Sequence, residues 1–177
     1  MQNSKEPNGV LEEMAAIPVF FPILIPAPSM VDYFFDKGQE MAASYGYTTV
    51  QEGKAMENHE QFAEYALRGK FKIDVVSYRD YTAARYRHKD WNKKEYNKHY
   101  RIGGVKLTED GSPQGRTAWR TIPYLLPPDG QKKGYVGYPA IADDKIVMAI
   151  YDSAFANNWQ IITHANGDAA IDQMIRC

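Results

Sequence analysis

Apolar residues along this chain recur at two alternating spacings. A spacing of three to four positions is typical of amphipathic helices, whereas short β-branched and aromatic runs are typical of strands. Four helices are predicted: Val31–Tyr45, Phe62–Ala66, Ile141–Asn157 and one that begins at Asp168. The first has Ser29 as its N-cap and Gly46 just beyond its end. The second has the capping-box pair Asn58 and Gln61 at its start and ends at Gly69. The predicted strands are Tyr47–Gln51, Lys72–Tyr78, Ile102–Leu107 and the run that ends at His164. Helix and strand therefore alternate, which predicts an α/β fold with a parallel sheet.

A proline-rich apolar run, Ile17–Pro28, precedes this alternation. It is shorter than the roughly 20 residues that a membrane-spanning helix needs. Its four prolines oppose helix formation, because each lacks a backbone N–H. We therefore expect an extended segment that packs on the core or borders a pocket.

The composition is that of a globular protein. The chain has 177 residues, 44% of them hydrophobic and 24% charged, with a net charge of −1. This length suits one sizeable domain, and the near-neutral charge argues against a nucleic-acid or membrane partner. With Cys177 alone, no internal disulfide can form.

One segment, Arg85–Arg101, departs from this balance. It carries seven Lys or Arg residues and two acidic residues, a net charge of +5, interleaved with tyrosine and tryptophan. A solvated helical face is the favoured interpretation, and a nucleic-acid surface is the alternative.

Lys106 and His164 are the candidate chemical groups, each at the end of a predicted strand. A buried lysine is costly as a bare cation, so Lys106 either pairs with an acid or has a depressed pKa and acts as a base, a Schiff-base former or a carbamate. His164 is either a hydrogen-bonded core residue or a ligand. A long loop at about residues 111–139 follows the Lys106 strand, where α/β proteins place active sites.

Several motifs, taken in order, resemble one family over nearly the whole chain. They are Gly104-Val105-Lys106-Leu107, Asp110-Gly111-Ser112, Gly115-Arg116-Thr117-Ala118, Pro123-Tyr124, Gly134-Tyr135 and His164-Ala165-Asn166-Gly167-Asp168-Ala169-Ala170. This set resembles the YtcJ-like branch of the amidohydrolase superfamily, of the N-substituted formamide deformylase type.

The resemblance implies a metal-dependent hydrolase on a (β/α)8 barrel. It implies that Lys106, carboxylated, bridges two divalent metals, usually zinc, and that His164 is a further metal ligand. It places Asp110 in the active-site loop and makes Asp168 a second-shell or helix-capping group. The metals would activate a water against a carbonyl.

The chain departs from the family in its ligand set. Its histidines, His59, His88, His99 and His164, contain no His-x-His pair, and a complete barrel takes about 250 residues. We therefore expect residues 1–177 to form a single incomplete barrel segment, with about four βα units equivalent to strands two to five. An isolated segment of this kind should be inactive, and it should form a homodimer that covers the open barrel face.

The predicted function is hydrolysis of a C–N bond in a small amide or formamide-like substrate, in the cytoplasm. The rival is a non-catalytic α/β binding or interaction module with degenerate motifs. A third possibility, an RNA-associated domain that uses Arg85–Arg101, conflicts with the overall charge.

Overall fold

A computed structural model describes residues 9–12, 15–24, 26–56, 58–83 and 89–177 of the chain. Within them, the helices are α1 (Ile17–Leu24), α2 (Val31–Ser44), α3 (His59–Leu67), α4 (Asp144–Ala156) and α5 (Asp168–Arg176), and the strands are β1 (Thr49–Ala55), β2 (Asp74–Asp80), β3 (Tyr100–Thr108) and β4 (Gln160–His164). No helix in these ranges is long and apolar enough to cross a membrane.

The four strands form one sheet in the order β1-β2-β3-β4. β2 runs parallel to both β1 and β3. α3 lies between β1 and β2 and α4 lies between β3 and β4, whereas the described part of the connection from β2 to β3 contains only the 3₁₀ turn Lys89–Trp91. Gly104 allows β3 and β4 to approach closely, since a Cβ there would lie 1.8 Å from the Gln160 carbonyl oxygen. The predicted α/β class and the number of strands are confirmed.

The chain divides into two compact units. The first unit comprises Met1–Ile25, Thr108–Ala149 and Thr163–Cys177, and the second comprises Pro26–Leu107 and Ile150–Ile162. The core of the second unit is aromatic, with Phe62 of α3 stacked on Tyr100 of β3 at 6.1 Å between ring centroids. Burial of each such ring contributes about 2–3 kcal/mol.

The expectation of an extended Ile17–Pro28 segment was wrong, because Ile17–Leu24 forms α1. Pro18 lies in the first turn, where a missing N–H costs nothing. Pro22 lies inside the helix and removes one backbone bond only, which an eight-residue helix tolerates.

Two predicted helix caps also differ in the structure. Met30, the last residue of a short 3₁₀ turn at Pro28–Met30, is the N-cap of α2. Ser29 lies within that turn and does not cap the helix. Asn58 is the N-cap residue of α3, as predicted, but its side chain accepts the Met56 N–H at 3.0 Å and makes no capping hydrogen bond to the helix. The predicted helix ends are confirmed, because Gly46 and Gly69 both adopt positive φ.

The basic segment does not form the predicted helical face in its described part. Residues 84–88, which include Arg85, Arg87 and His88, lie outside the described residues. Only Lys89–Trp91 is helical, as a 3₁₀ turn, and the Arg101 guanidinium lies 5.3 Å from the Tyr96 ring.

Candidate active site

Lys106 lies in the second unit near the C-terminal end of β3. Its register partner on β2 is Asp80, and its carbonyl oxygen accepts the Tyr81 N–H at 3.0 Å. Burial lowers the pKa of Lys106, the nearby Lys54 cation lowers it further, and the Asp80 carboxylate opposes both effects. Lys106 is therefore shifted toward the neutral amine, the form in which it can act as a base or a nucleophile.

Sequence reasoning missed Lys54 and Asp80, which complete this group. Lys54 Nζ lies 3.5 Å from Asp80 Oδ2, and Asp80 also accepts the Thr82 N–H at 3.0 Å. Both residues lie toward the C-terminal ends of parallel strands, as Lys106 does. That shared position is the signal that could have identified them, but the predicted strands stopped short of both residues.

Asp110 lies in the first unit and is fully buried. Its carboxylate accepts three backbone N–H groups, from Asn166 at 2.8 Å, Trp119 at 2.9 Å and Gly167 at 2.7 Å. These bonds tie Asp110, two residues after the end of β3, to the long loop and to the turn before α5. The carboxylate therefore organises the loop, and its lone pairs are engaged by the backbone.

His164 ends β4, with its side chain 39% exposed. Its Nε2 lies 4.0 Å from Asp110 Oδ1 and 2.9 Å from Asn166 Nδ2. The Asn166 amide also donates to the Gly111 carbonyl oxygen at 2.8 Å. Asn166, to which the sequence analysis gave no role beyond its place in the motif, is the direct neighbour of the candidate ligand.

Asp168 is the first residue of α5, and Gly167 is the N-cap. The Asp168 carboxylate accepts the Thr121 N–H at 2.8 Å and the Thr121 hydroxyl, and these bonds lower its pKa. It also accepts the Ala169 N–H at 3.1 Å. Asp168 is thus placed to anchor the long loop on the first turn of α5.

The loop at about residues 111–139 contains no helix or strand, as predicted, but it is held at both ends. The Ser112 carbonyl oxygen accepts the Thr117 N–H at 3.0 Å, and the Ser112 hydroxyl oxygen accepts the Gly115 N–H at 3.0 Å. At the far end, the Ala140 N–H donates to the Glu109 carbonyl oxygen at 2.6 Å.

Glu109 is a second residue that sequence reasoning missed. It lies three residues after Lys106 and directly before Asp110 in the sequence, and its side chain is fully buried. Its two carboxylate oxygens have no hydrogen-bond partner among the described residues. Burial first, then the charges of Asp110 and Asp144, raise the pKa of Glu109 to about 7.

These residues fit a metal ion only in part. Within the described ranges, no three His, Cys, Asp or Glu side chains gather into a metal-binding group. The Asp110 oxygens are engaged by backbone N–H groups, and His164 Nε2 is engaged by Asn166. The lowered pKa of Lys106 favours its role as a donor, but a closed site needs three or four ligands.

Comparison with known proteins adds the family. Two solved structures are similar to the chain, each at 20% sequence identity and over 97% of the chain: an uncharacterized metal-dependent hydrolase from Pyrococcus horikoshii OT3, with a TM-score of 0.73, and one from Pyrococcus furiosus, with a TM-score of 0.74. The chain spans 36% and 37% of their lengths, and the likeness confirms the predicted partial barrel fold. No curated protein matches the chain.

The family model described as the amidohydrolase family matches residues 1–176, which is almost the entire chain. The motifs around Lys106 and His164 lie within this match. The chain belongs to the amidohydrolase family.

Proposed function

We propose that this chain is part of a metal-dependent hydrolase that cleaves a C–N bond in a small amide or formamide-like molecule. Membership of the amidohydrolase family supports hydrolysis, and the two similar structures are themselves called metal-dependent hydrolases. The substrate type comes from the YtcJ-like pattern of motifs around Lys106 and Asp110-Gly111-Ser112.

The observation that carries the proposal is the position of Lys106, which lies half-buried near the C-terminal end of β3 with Asp80 as its register partner. Burial and Lys54 shift its amine toward the neutral form at the C-terminal end of a parallel strand. A neutral amine can attack carbon dioxide, form an N–C bond and lose a proton, which yields a carbamate. Lys54 lies close enough to stabilise the resulting negative charge.

By the resemblance, Lys106 and His164 would each act as a metal ligand, with zinc as the expected ion. When bound, such a metal lowers the pKa of a coordinated water and polarises the carbonyl of the substrate. Asp110 holds the loop, and Asp168 anchors Thr121 beside it.

The test combines ¹³C-bicarbonate NMR with zinc binding on the full chain. We expect a carbamate carbon signal that disappears in Lys106→Arg, and weak zinc binding that decreases in both Lys106→Arg and His164→Ala. Exposed Lys72→Arg is the control and should change neither readout. Zinc binding that neither substitution alters would overturn the proposal.

We also propose that the chain alone does not turn over N-substituted formamides, because its described residues hold no closed set of metal ligands. Zinc content and hydrolysis rate, measured on the same sample, test this. Stoichiometric tight zinc together with turnover would contradict it.

The lack of a closed set of metal ligands among the described residues also favours a second candidate function, a non-catalytic binding module that keeps degenerate motifs. It predicts neither a carbamate nor any zinc binding through His164, so the experiment above separates the two functions.

For the assembly, we propose a cytoplasmic homodimer that binds neither nucleic acid nor membrane. β1 and β4 are the outer strands of the sheet among the described residues, and unpaired strand edges promote association. The near-neutral net charge supports the absence of a nucleic-acid partner. A monodisperse, cooperatively folded monomer in sedimentation analysis would refute the dimer.

A further inference from the structure

We infer that Asn166 controls the availability of His164 as a ligand. Its side-chain amide occupies the Nε2 lone pair of the histidine, so that His164 can bind a metal only by giving up this hydrogen bond. The inference deepens the proposed function, and its metal-binding part rests on it. The hydrogen bond itself rests on geometry in the first unit.

The orientation of the Asn166 amide follows from Gly111. Asn166 Nδ2 lies 2.8 Å from the Gly111 carbonyl oxygen, which can only accept a hydrogen bond. Rotating the amide by 180° would place two acceptor oxygens against each other. The nitrogen therefore faces Gly111, and one of its two hydrogens makes this bond.

The second hydrogen of the amide points to His164. Nδ2 lies 2.9 Å from His164 Nε2, so this ring nitrogen accepts and carries no proton in the neutral ring. The ring proton is therefore on Nδ1. The structure thus assigns one tautomer to His164, from the contacts of a neighbouring amide.

The Asn166 side chain can be changed without removing the anchor of its backbone. Asp110 Oδ1 accepts the Asn166 N–H at 2.8 Å, and Asp110 Oδ2 accepts the next N–H, that of Gly167, at 2.7 Å. These bonds do not involve the side-chain amide. A substitution at Asn166 therefore tests the contact with His164 while the turn keeps its anchor.

Either ring nitrogen would have to break this contact in order to bind a metal. Through Nε2, His164 must displace the amide directly. If Nδ1 binds the metal, the ring proton must move to Nε2, where it would face the Asn166 N–H, donor against donor. The amide would then have to turn and give up its hydrogen bond to the Gly111 carbonyl oxygen. Asn166 is thus a positioning residue that competes with the metal for the histidine.

Long-range ¹H–¹⁵N correlation spectra of the metal-free full chain test the tautomer. We expect a protonated Nδ1 and an unprotonated Nε2 for His164, and loss of this preference in Asn166→Ala. Asn166→Asp presents acceptor oxygens only, so it should place the proton on Nε2. The control is Asn157→Ala, because the exposed Asn157 amide donates to the Ser153 carbonyl oxygen within its own helical turn, away from His164 in sequence.

A titration with zinc alone tests the competition. Asn166→Ala removes the hydrogen bond to His164 that the metal would otherwise have to displace, so zinc binding should tighten by about two- to tenfold relative to the unsubstituted chain. If Asn166 instead supported the histidine as a partner of a metal ligand, the same substitution would weaken binding by roughly 10- to 100-fold.

The outcomes test the His164 tautomer and the competition between Asn166 and the metal separately. An Nε2-protonated His164 in the unsubstituted chain overturns the inference, whether or not the protein is a hydrolase. Weaker zinc binding in Asn166→Ala overturns the competition. Absence of zinc binding in both chains overturns the ligand role of His164 in the proposed function, and the competition with it, while the tautomer result stands on its own spectrum.

Discussion

The carboxylate of Asp110 accepts the backbone N–H of Gly167 at 2.7 Å, across 57 positions of sequence. The same oxygen accepts the Trp119 N–H at 2.9 Å. One buried side chain thus holds the end of β3, the long loop and the start of α5 in a single arrangement. The position of His164 depends on that arrangement, because Asn166, which contacts it, is anchored by the same carboxylate.

Gly167→Ala should be strongly destabilising. A Cβ at this position would lie 1.7 Å from the Trp119 carbonyl oxygen, and backbone atoms cannot move aside cheaply. We expect a loss of at least about 3 kcal/mol in the free energy of unfolding, measured with urea. Gly38→Ala is the matched control. It lies in α2 with no atom within 4 Å of its added Cβ, and it should gain about 0.5–1 kcal/mol. Equal effects of the two substitutions would contradict the close approach at Gly167.

Asp110→Asn should also destabilise the fold, by about 2–3 kcal/mol. The amide replaces one acceptor oxygen with a donor, which leaves a buried backbone N–H without its charged partner. Exposed Asp172→Asn is the control, and its effect should stay within about 0.5 kcal/mol. An unchanged free energy of unfolding in Asp110→Asn would contradict the anchoring role of this carboxylate.

Two substitutions should move the pKa of Lys106 in opposite directions. Lys54→Met removes a cation that lowers this pKa, so the pKa should rise. Asp80→Asn removes the carboxylate that raises it, so the pKa should fall further. The pH dependence of the Lys106 ¹³Cε chemical shift measures both changes. A shift in the same direction for both variants would show that general unfolding, and not local charge, governs Lys106.

Glu109 should make the fold less stable as the pH rises. Its pKa is about 7 in the folded chain against an ordinary value of 4.5, so the folded state retains the proton that the unfolded state loses first. Below about pH 4.5 the residue is neutral in both states and costs nothing. Between pH 4.5 and 7 stability falls, and above pH 7 the full cost is about 3 kcal/mol.

Glu109→Gln tests this dependence by removing the charge while keeping the shape. We expect a gain of about 3 kcal/mol in unfolding free energy at pH 8 and almost none at pH 4. Exposed Glu64→Gln should change little at either pH. A gain that is equal at both pH values would indicate better packing and would exclude titration of Glu109 as its cause.

Much of the fold could be predicted from the chain alone. The helical spacing after Val31 and the glycines Gly46 and Gly69 located α2 and α3, because these signals act within one or two helical turns. The prediction for Ile17–Pro28 was wrong, because the cost of Pro22 is one hydrogen bond and its neighbours could still form a helix. Ser29 was misplaced as the N-cap of α2 because it lies within a short 3₁₀ turn that precedes the helix. Asn58 holds the predicted N-cap position of α3, but its side chain accepts the Met56 N–H.

The amino-acid sequence by itself determined the alternation of helices and strands and the strand-end positions of Lys106 and His164, together with the family through its motifs. These features depend on neighbouring residues or on identity at fixed spacing. Tertiary structure alone decided that the Glu109 carboxylate is buried with no hydrogen-bond partner in the described part of the chain, and that the Asn166 amide joins Gly111 to His164. Asn166 and Gly111 are 55 positions apart, and a bond over that separation exists only after the strands and the turn have folded into place.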